Sequence, residues 1–164
     1  MIDIQKARES LSYDSYTGEM TWKVNIGKMK TKGKIAGFRD RKHGYWCVGF
    51  MGRIYGAHRM AWALHYGEQP PKEIDHINCI KDDNRIENLR SCTRIQNQCN
   101  HHIRSDNTSG HKGVSWSVDR RKWVAMININ KKQVNLGRFD KIEDAIEAVN
   151  KARSAHHKDF ARYE

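Results

Sequence analysis

The chain has 164 residues, 38% of them hydrophobic, and carries 30 Lys and Arg against 19 Asp and Glu, for a formal charge of +11. That excess points to a polyanionic partner, and the length allows one domain or two small ones with modest cores. No apolar run approaches the roughly 20 residues a membrane span needs and the amino terminus lacks an apolar signal core, so a cytoplasmic protein that is not secreted is expected.

Residues 1–57 open with a short helical stretch. Polar positions then alternate with Tyr13, Tyr16, Trp22 and Val24, and later with Tyr45, Cys47, Val48, Phe50 and Ile54, between glycines such as Gly18, Gly27, Gly33, Gly37, Gly44 and Gly52. This pattern predicts a small β-meander. From Trp22 to Arg53 nine basic residues meet one acid, Asp40, and from Arg104 to Arg138 eight meet Asp106 and Asp119. Either run alone is explained by a solvated face. Two such blocks flanking an acid-bearing motif favour a phosphate backbone lying across both.

His58 precedes the helix-like run Met60-Ala61-Trp62-Ala63-Leu64, where it either pins that helix by hydrogen bonding or takes a direct part in chemistry. Pro70-Pro71 stiffens the approach to the next strand, since neither residue continues a helix. Glu73-Ile74-Asp75-His76-Ile77 alternates as a half-buried strand does, and the Asn- and Asp-rich run from Asn78 to Asn88 reads as a loop. Leu89-Arg90-Ser91-Cys92 returns as a second short strand. Thr93 then caps a helix running from Arg94 to His101, which puts Asn97 and His101 on one face. A strand end bearing Asp75 and His76 beside a helix presenting Asn97 would gather a carboxylate oxygen, an amide oxygen and an imidazole. Hard oxygen ligands of that kind suit Mg²⁺ or Mn²⁺. An Asp-His pair by itself is ordinary surface, and Asn-rich loops are ordinarily turns. The ordered spacing through Asn97 separates this chain from that reading.

The segment His58-Arg59-Met60-Ala61-Trp62, Ile74-Asp75-His76-Ile77-Asn78, Asp82-Asp83-Asn84-Arg85-Ile86-Glu87-Asn88-Leu89-Arg90 and Gln96-Asn97 resembles the HNH nucleases of the ββα-metal (His-Me finger) superfamily, in the form common among phage and intron homing endonucleases. The resemblance implies that His76 is the general base that activates water, and that Asp75 and Asn97 are the protein ligands of one divalent ion. It further implies that Asn88, or else Asn84, holds the histidine ring in its working tautomer. His101 falls where many relatives carry a further histidine that touches metal or phosphate. Relatives with a full histidine set take Zn²⁺, whereas the Asp and Asn here argue for Mg²⁺ or Mn²⁺. Double-stranded DNA is the implied substrate, cut by a monomer or a transient dimer. Residues 1–57 resemble the extension that leads into HNH motifs in phage proteins, with basic loops that grip backbone phosphates.

Cys47, Cys79, Cys92 and Cys99 form no C-x-x-C pair and are read as reduced thiols, with a Zn²⁺ site from Cys92, Cys99 and His101 as the alternative. After a polar break at residues 104–110, the stretches 113–117, 122–129 and 132–137 read as three strands. A helix from about Ile142 to His156 then carries Ile142, Ala145, Ile146, Val149 and Ala152 on one apolar face. Ser109-Gly110-His111-Lys112-Gly113-Val114-Ser115-Trp116, Lys122-Trp123-Val124-Ala125, Leu136-Gly137-Arg138-Phe139 and the run from Ala145 to Ala152 together resemble the Apetala/ethylene-response-factor DNA-binding domain. The resemblance implies a sheet face in the DNA major groove. The positions matching its contacts are Lys112, Ser115, Ser117, Arg121, Lys122, Asn128, Gln133 and Asn135, with Trp116 and Arg120 as neighbours and Trp123 in the core. Ser115, Gln133 and Asn135 stand where relatives carry Arg or Trp.

The expected architecture is α+β: a small β-meander (1–57) leading into a ββα-metal nuclease core (58–104), then a three-stranded antiparallel sheet packed on one helix (105–164). The expected function is metal-dependent DNA cleavage of the homing type. The alternative is a catalytically inactive DNA-binding or regulatory protein.

Overall fold

The computed structural model describes residues 1–100, 103, 105–129, 131–156 and 160–161. They form two compact units, Met1–Cys92 and Thr93–Glu164. The architecture is α+β, built from small antiparallel sheets, as the sequence patterns predict.

In the first unit, α1 (Ile4–Ser10) starts at Asp3, whose carboxylate accepts the Lys6 amide hydrogen as an N-cap. It leads into a hairpin of β1 (Leu11–Tyr13) and β2 (Met20–Trp22), with Ser12 opposite Thr21. A three-stranded meander follows, β3 (Phe38–Arg39), β4 (Trp46–Phe50) and β5 (Arg53–Gly56), in spatial order β3-β4-β5. Helix α2 (Ala57–Tyr66) follows and packs against β4 and β5. Gly67 closes α2 in the left-handed conformation at φ 73°, and its amide donates to the Ala63 carbonyl. The apolar residues Ala7, Leu11, Val48, Met60, Ala61 and Ala63 are fully enclosed and tie α1, both sheets and α2 into one core.

Strands β6 (Glu73–His76) and β7 (Leu89–Cys92) complete this unit as a two-stranded ribbon, with Asp75 opposite Arg90 and His76 opposite Leu89. Arg59 on α2 anchors the approach to β6: its guanidinium donates to the Pro71 carbonyl at 3.0 Å and the Pro70 carbonyl at 3.4 Å. The two prolines offer no amide donors, so a neighbouring cation satisfies their carbonyls.

The second unit begins with α3 (Arg94–Cys99), capped by a reciprocal pair in which Thr93 Oγ1 accepts from the Gln96 amide and Gln96 Oε1 accepts from the Thr93 amide. Asn100 is its C-cap, so the helix is shorter than the run to His101 that the sequence suggests. Strands β8 (Val114–Ser117), β9 (Lys122–Ile129) and β10 (Lys132–Phe139) form an antiparallel sheet in order β10-β9-β8, with a bulge between Asn135 and Gly137. Helix α4 (Ile142–His156) packs on one face, where Val114, Ala125, Ala145 and Val149 are enclosed. Gly113 (φ 83°) is required there, because a Cβ would stand 2.5 Å from the Met126 carbonyl oxygen.

Candidate active site

Asp75 and His76 are the last two residues of β6, and both are buried, at 4% and 6% exposure. A buried carboxylate and imidazole at adjacent strand positions face opposite ways in a flat strand, so each needs its own polar environment. Asp75 finds it across the ribbon. Its Oδ2 accepts from Arg90 Nε at 2.8 Å and lies 2.7 Å from the other Arg90 nitrogen, so the guanidinium grips one carboxylate oxygen twice.

His76 faces the loop and α2. Asn84 Oδ1 lies 3.4 Å from its Nε2, the His58 ring centroid is 5.3 Å away at 73°, and the Tyr45 ring centroid is 6.0 Å away. Burial pulls the His76 pKa below its ordinary value, against the opposing pull of the Asn84 contact and of the nearby carboxylates, so its free base dominates at neutral pH. His58 is pushed further down, to about 3, first by burial and then by the charges of His76 and Arg59. Its Nδ1 is enclosed with no hydrogen-bond partner among the described residues. The ring lies folded against Gly56, where a Cβ would stand 2.6 Å from His58 Cε1. Half-buried Tyr45 completes this aromatic wall, with Lys81 Nζ 5.0 Å above its ring and its hydroxyl pKa raised by burial.

The Asn-rich loop after β6 is stapled rather than loose. Cys79 turns the chain at φ 62°, its amide donating back to the His76 carbonyl. Asn88 Oδ1 accepts from the Asn78 amide, and Asn88 Nδ2 donates to Asn78 Oδ1 at 3.0 Å and the Asp83 carbonyl at 2.8 Å. Asp83 binds Arg85 through both carboxylate oxygens and accepts from Asn78 Nδ2 at 2.6 Å, which holds its pKa down at about 2. Of the two asparagines expected at the histidine ring, Asn84 makes the ring contact, and the Asn88 side chain is committed to the loop.

Asn97 lies on α3 in the second unit, and His101 lies outside the described residues. The four cysteines are free thiols. No three His, Cys, Asp or Glu side chains gather into a metal cluster among the described residues.

Residues 55–99 match the family model of an HNH endonuclease. Over 107 residues the chain is also 32% identical to Protein 3.8 of Escherichia phage T7, an alignment covering 65% of this chain and 88% of that protein. The chain belongs to the family of that phage protein and carries an HNH endonuclease domain. No solved structure matches it. Within the HNH domain fall α2 with His58, the β6–β7 ribbon with Asp75 and His76, the stapled loop and α3 with Asn97. HNH nucleases are generally divalent-metal dependent and act on DNA.

The buried Asp75 carboxylate fits such an ion as one ligand. A buried carboxylate steadied by Arg90 is oriented as ligating carboxylates commonly are, and Mg²⁺ needs only one or two protein oxygens because it retains water and takes substrate phosphates. A closed shell of histidines or thiolates, as structural Zn²⁺ requires, is absent among the described residues.

The sheet of the second unit gathers most of the expected DNA contacts. Strand alternation and register put Ser115, Ser117, Lys122, Asn128, Gln133 and Asn135 on the face turned away from α4. Trp116 faces the other way, edge-on to Trp123 at 5.1 Å, and Trp123 packs on the core. Lys112 is structural as well as basic, since its Nζ donates to the Cys99 carbonyl and its carbonyl accepts from Arg153. Arg120 and Arg121 are exposed on the β8–β9 turn.

Sequence reasoning missed Arg59, Arg90 and Tyr45. Arg90 had a findable signal, since it sits directly opposite Asp75 once the two short strands are paired. Tyr45 had none, being far from His76 along the chain with no pattern linking them.

Proposed function

We propose that this chain is a metal-dependent DNA endonuclease that hydrolyses phosphodiester bonds with His76 as general base. The observation that carries the reading is a buried, largely neutral His76, adjoining the buried Asp75 and touched by Asn84, inside the stretch that matches the HNH family. A neutral imidazole takes a proton from water at pH 7, the hydroxide attacks phosphorus, and the 3′ oxygen leaves. Asp75 and Asn97 would hold one Mg²⁺ or Mn²⁺, which when bound supplies charge neutralisation at the phosphate and at the leaving oxygen. Arg90 fixes the Asp75 carboxylate, Asn84 fixes the His76 ring, and His58 with Tyr45 excludes water from one side of that ring. His101 remains a candidate contact for metal or phosphate.

Residues 105–164 are proposed to act as an Apetala/ethylene-response-factor-like module whose α4-distal face enters the major groove. Exposed Ser115, Asn128, Gln133 and Asn135 would read base edges, and Arg120, Arg121 and Lys122 would meet phosphates. The lysines of the loop between β2 and β3 would grip the backbone. The division of labour is that of a homing-type enzyme acting in the host cytoplasm as a monomer or transient dimer.

A second reading, a DNA-binding protein without cleavage, is favoured by one feature: the Arg90 cation on Asp75 lowers the carboxylate's pull on a metal. Incubation of supercoiled plasmid with the protein and Mg²⁺ decides between them. Nicking that EDTA abolishes is expected, and binding without nicks at any protein concentration would leave only the second reading.

A further inference from the structure

The loop that brings Asn84 to His76 is gripped by the β1–β2 hairpin, 71 residues earlier in the chain. The Tyr13 hydroxyl donates to the Asn84 carbonyl at 2.8 Å, and the Ile86 amide donates to the Ser15 carbonyl at 3.2 Å. Between these two bonds Gly18, at φ 77°, presses its backbone onto the same peptide. A Cβ there would stand 2.6 Å from the Arg85 nitrogen and 2.7 Å from the Asn84 carbonyl carbon. Only glycine admits both the left-handed conformation and that approach.

The gripping turn is itself stiff. Asp14 Oδ1 accepts from the Tyr16 amide at 2.8 Å and the Thr17 amide at 3.3 Å, and the Gly18 amide donates to the Asp14 carbonyl. Burial and neighbouring Asp14 keep the Tyr13 hydroxyl protonated, so it stays a donor. Beside this contact Asn84 borders a pocket of about 260 Å³, also lined by Thr17, Gly18, Met20 and Trp46. A loop released from the hairpin therefore has space to move into, and Asn84 Oδ1, at 3.4 Å from His76 Nε2, has little reach to lose.

We infer that the N-terminal hairpin is part of the catalytic apparatus, with Tyr13 and Gly18 as positioning residues that act through Asn84 on the His76 ring. The inference rests on the proposed role of His76 as base. It assigns the β1–β2 turn to orienting that base, a task distinct from DNA contact.

Tyr13→Phe in the full chain tests it, because the ring is kept and one hydroxyl is removed. Two measurements are made: steady-state nicking of supercoiled plasmid with Mg²⁺ over a range of plasmid concentrations, and the ¹⁵N signals of the His76 ring in the metal-free protein. The expected result is a fall in kcat of about tenfold with unchanged KM and unchanged gel-shift affinity, together with a displaced His76 Nε2 signal. Gly18→Ala should act in the same direction and more strongly. Tyr16→Phe, on the same turn but 88% exposed, should match the parent in both measurements. Parent-like kcat and parent-like ring signals in Tyr13→Phe would overturn the inference, as would an equal loss in Tyr16→Phe. If the parent itself makes no nicks, the endonuclease reading fails, and the ring signals alone still decide whether the hairpin positions His76.

Discussion

The His58 and His76 rings stand 5.3 Å apart at 73°, and the charge of His76 adds to burial in lowering His58's readiness to take a proton. His58 reaches this position because Gly56 before it has no side chain to fend the ring off. Two imidazoles in one small enclosure cannot both be charged, and burial holds both neutral near pH 7.

This pair should show itself in acid. His58 is held at about 3 in the fold and returns to its ordinary value near 6.5 in the unfolded chain, so between those values the unfolded chain binds the extra proton. Its contribution is fully present above about pH 6.5 and declines as pH falls toward 3, at no more than about 1.4 kcal/mol per pH unit. In urea unfolding at pH 7.5 and pH 5, His58→Phe should lose less stability on acidification than the parent. Identical losses in the two chains would refute the buried neutral state of His58.

His76→Ala removes the proposed base and leaves the cationic surfaces intact. Nicking should fall by about 100-fold or more while DNA affinity stays at the parental level. Cleavage at the parental rate in that variant would exclude His76 as the base.

The candidate site was legible from sequence to the degree that its residues are local. Asp75, His76 and the asparagines of the loop are close in the chain, and strand alternation followed by a polar run foretells a buried pair beside a turn. The α+β class and the three-strand-plus-helix pattern of residues 113–156 were readable for the same reason, since each element carries its own period. What escaped was tertiary. The choice of Asn84 over Asn88 at the ring depends on Asn88 being consumed by Asn78 and Asp83, and the hold of Tyr13 on Asn84 spans most of the first unit. No periodicity encodes a hydrogen bond between residues that far apart.

Arg90 and Asp75 form a nearly dry ion pair, with side chains 17% and 5% exposed. Removing one partner takes a doubly bonded counter-charge from the other in a buried setting, which costs more than the pair itself contributes. Arg90→Ala should therefore lower stability by about 3 kcal/mol, measured by urea unfolding at pH 7.5. The double variant Arg90→Met with Asp75→Leu should recover much of that loss. A change under about 0.5 kcal/mol in Arg90→Ala would show the pair to be solvated.

On the α4-distal sheet face, Asn128 and Gln133 are cross-strand partners and both are exposed. If they read base edges as proposed, Gln133→Ala should relax preference at one or two base pairs, reducing discrimination by about 1–3 kcal/mol. Arg121→Ala should instead weaken all sites alike. Binding-site selection from a randomised duplex library separates the two behaviours. Weaker affinity without any change of preference in Gln133→Ala would remove base reading from this face.

The loop from Lys23 to Lys34 offers the last test, because its lysines are presented by a braced backbone. Asn25 Oδ1 accepts from the amides of Thr31 and Lys32, and Thr31 Oγ1 accepts from the Ile26 amide while donating to the Val24 carbonyl. Lys28, Lys30, Lys32 and Lys34 are thereby carried at alternate positions, all exposed. A cation held on a rigid loop loses less entropy on meeting a phosphate than one on a free chain, so the braced loop suits the proposed grip on a backbone. Each neutralised phosphate releases condensed counterions, and log K falls with log salt by about 0.9 per phosphate. Replacing the four lysines with serine should flatten that slope by about 0.9 for every phosphate the loop neutralises in the parent, and leave sequence preference unchanged. A slope equal to the parent's, measured between about 50 and 200 mM salt, would remove this loop from the DNA interface.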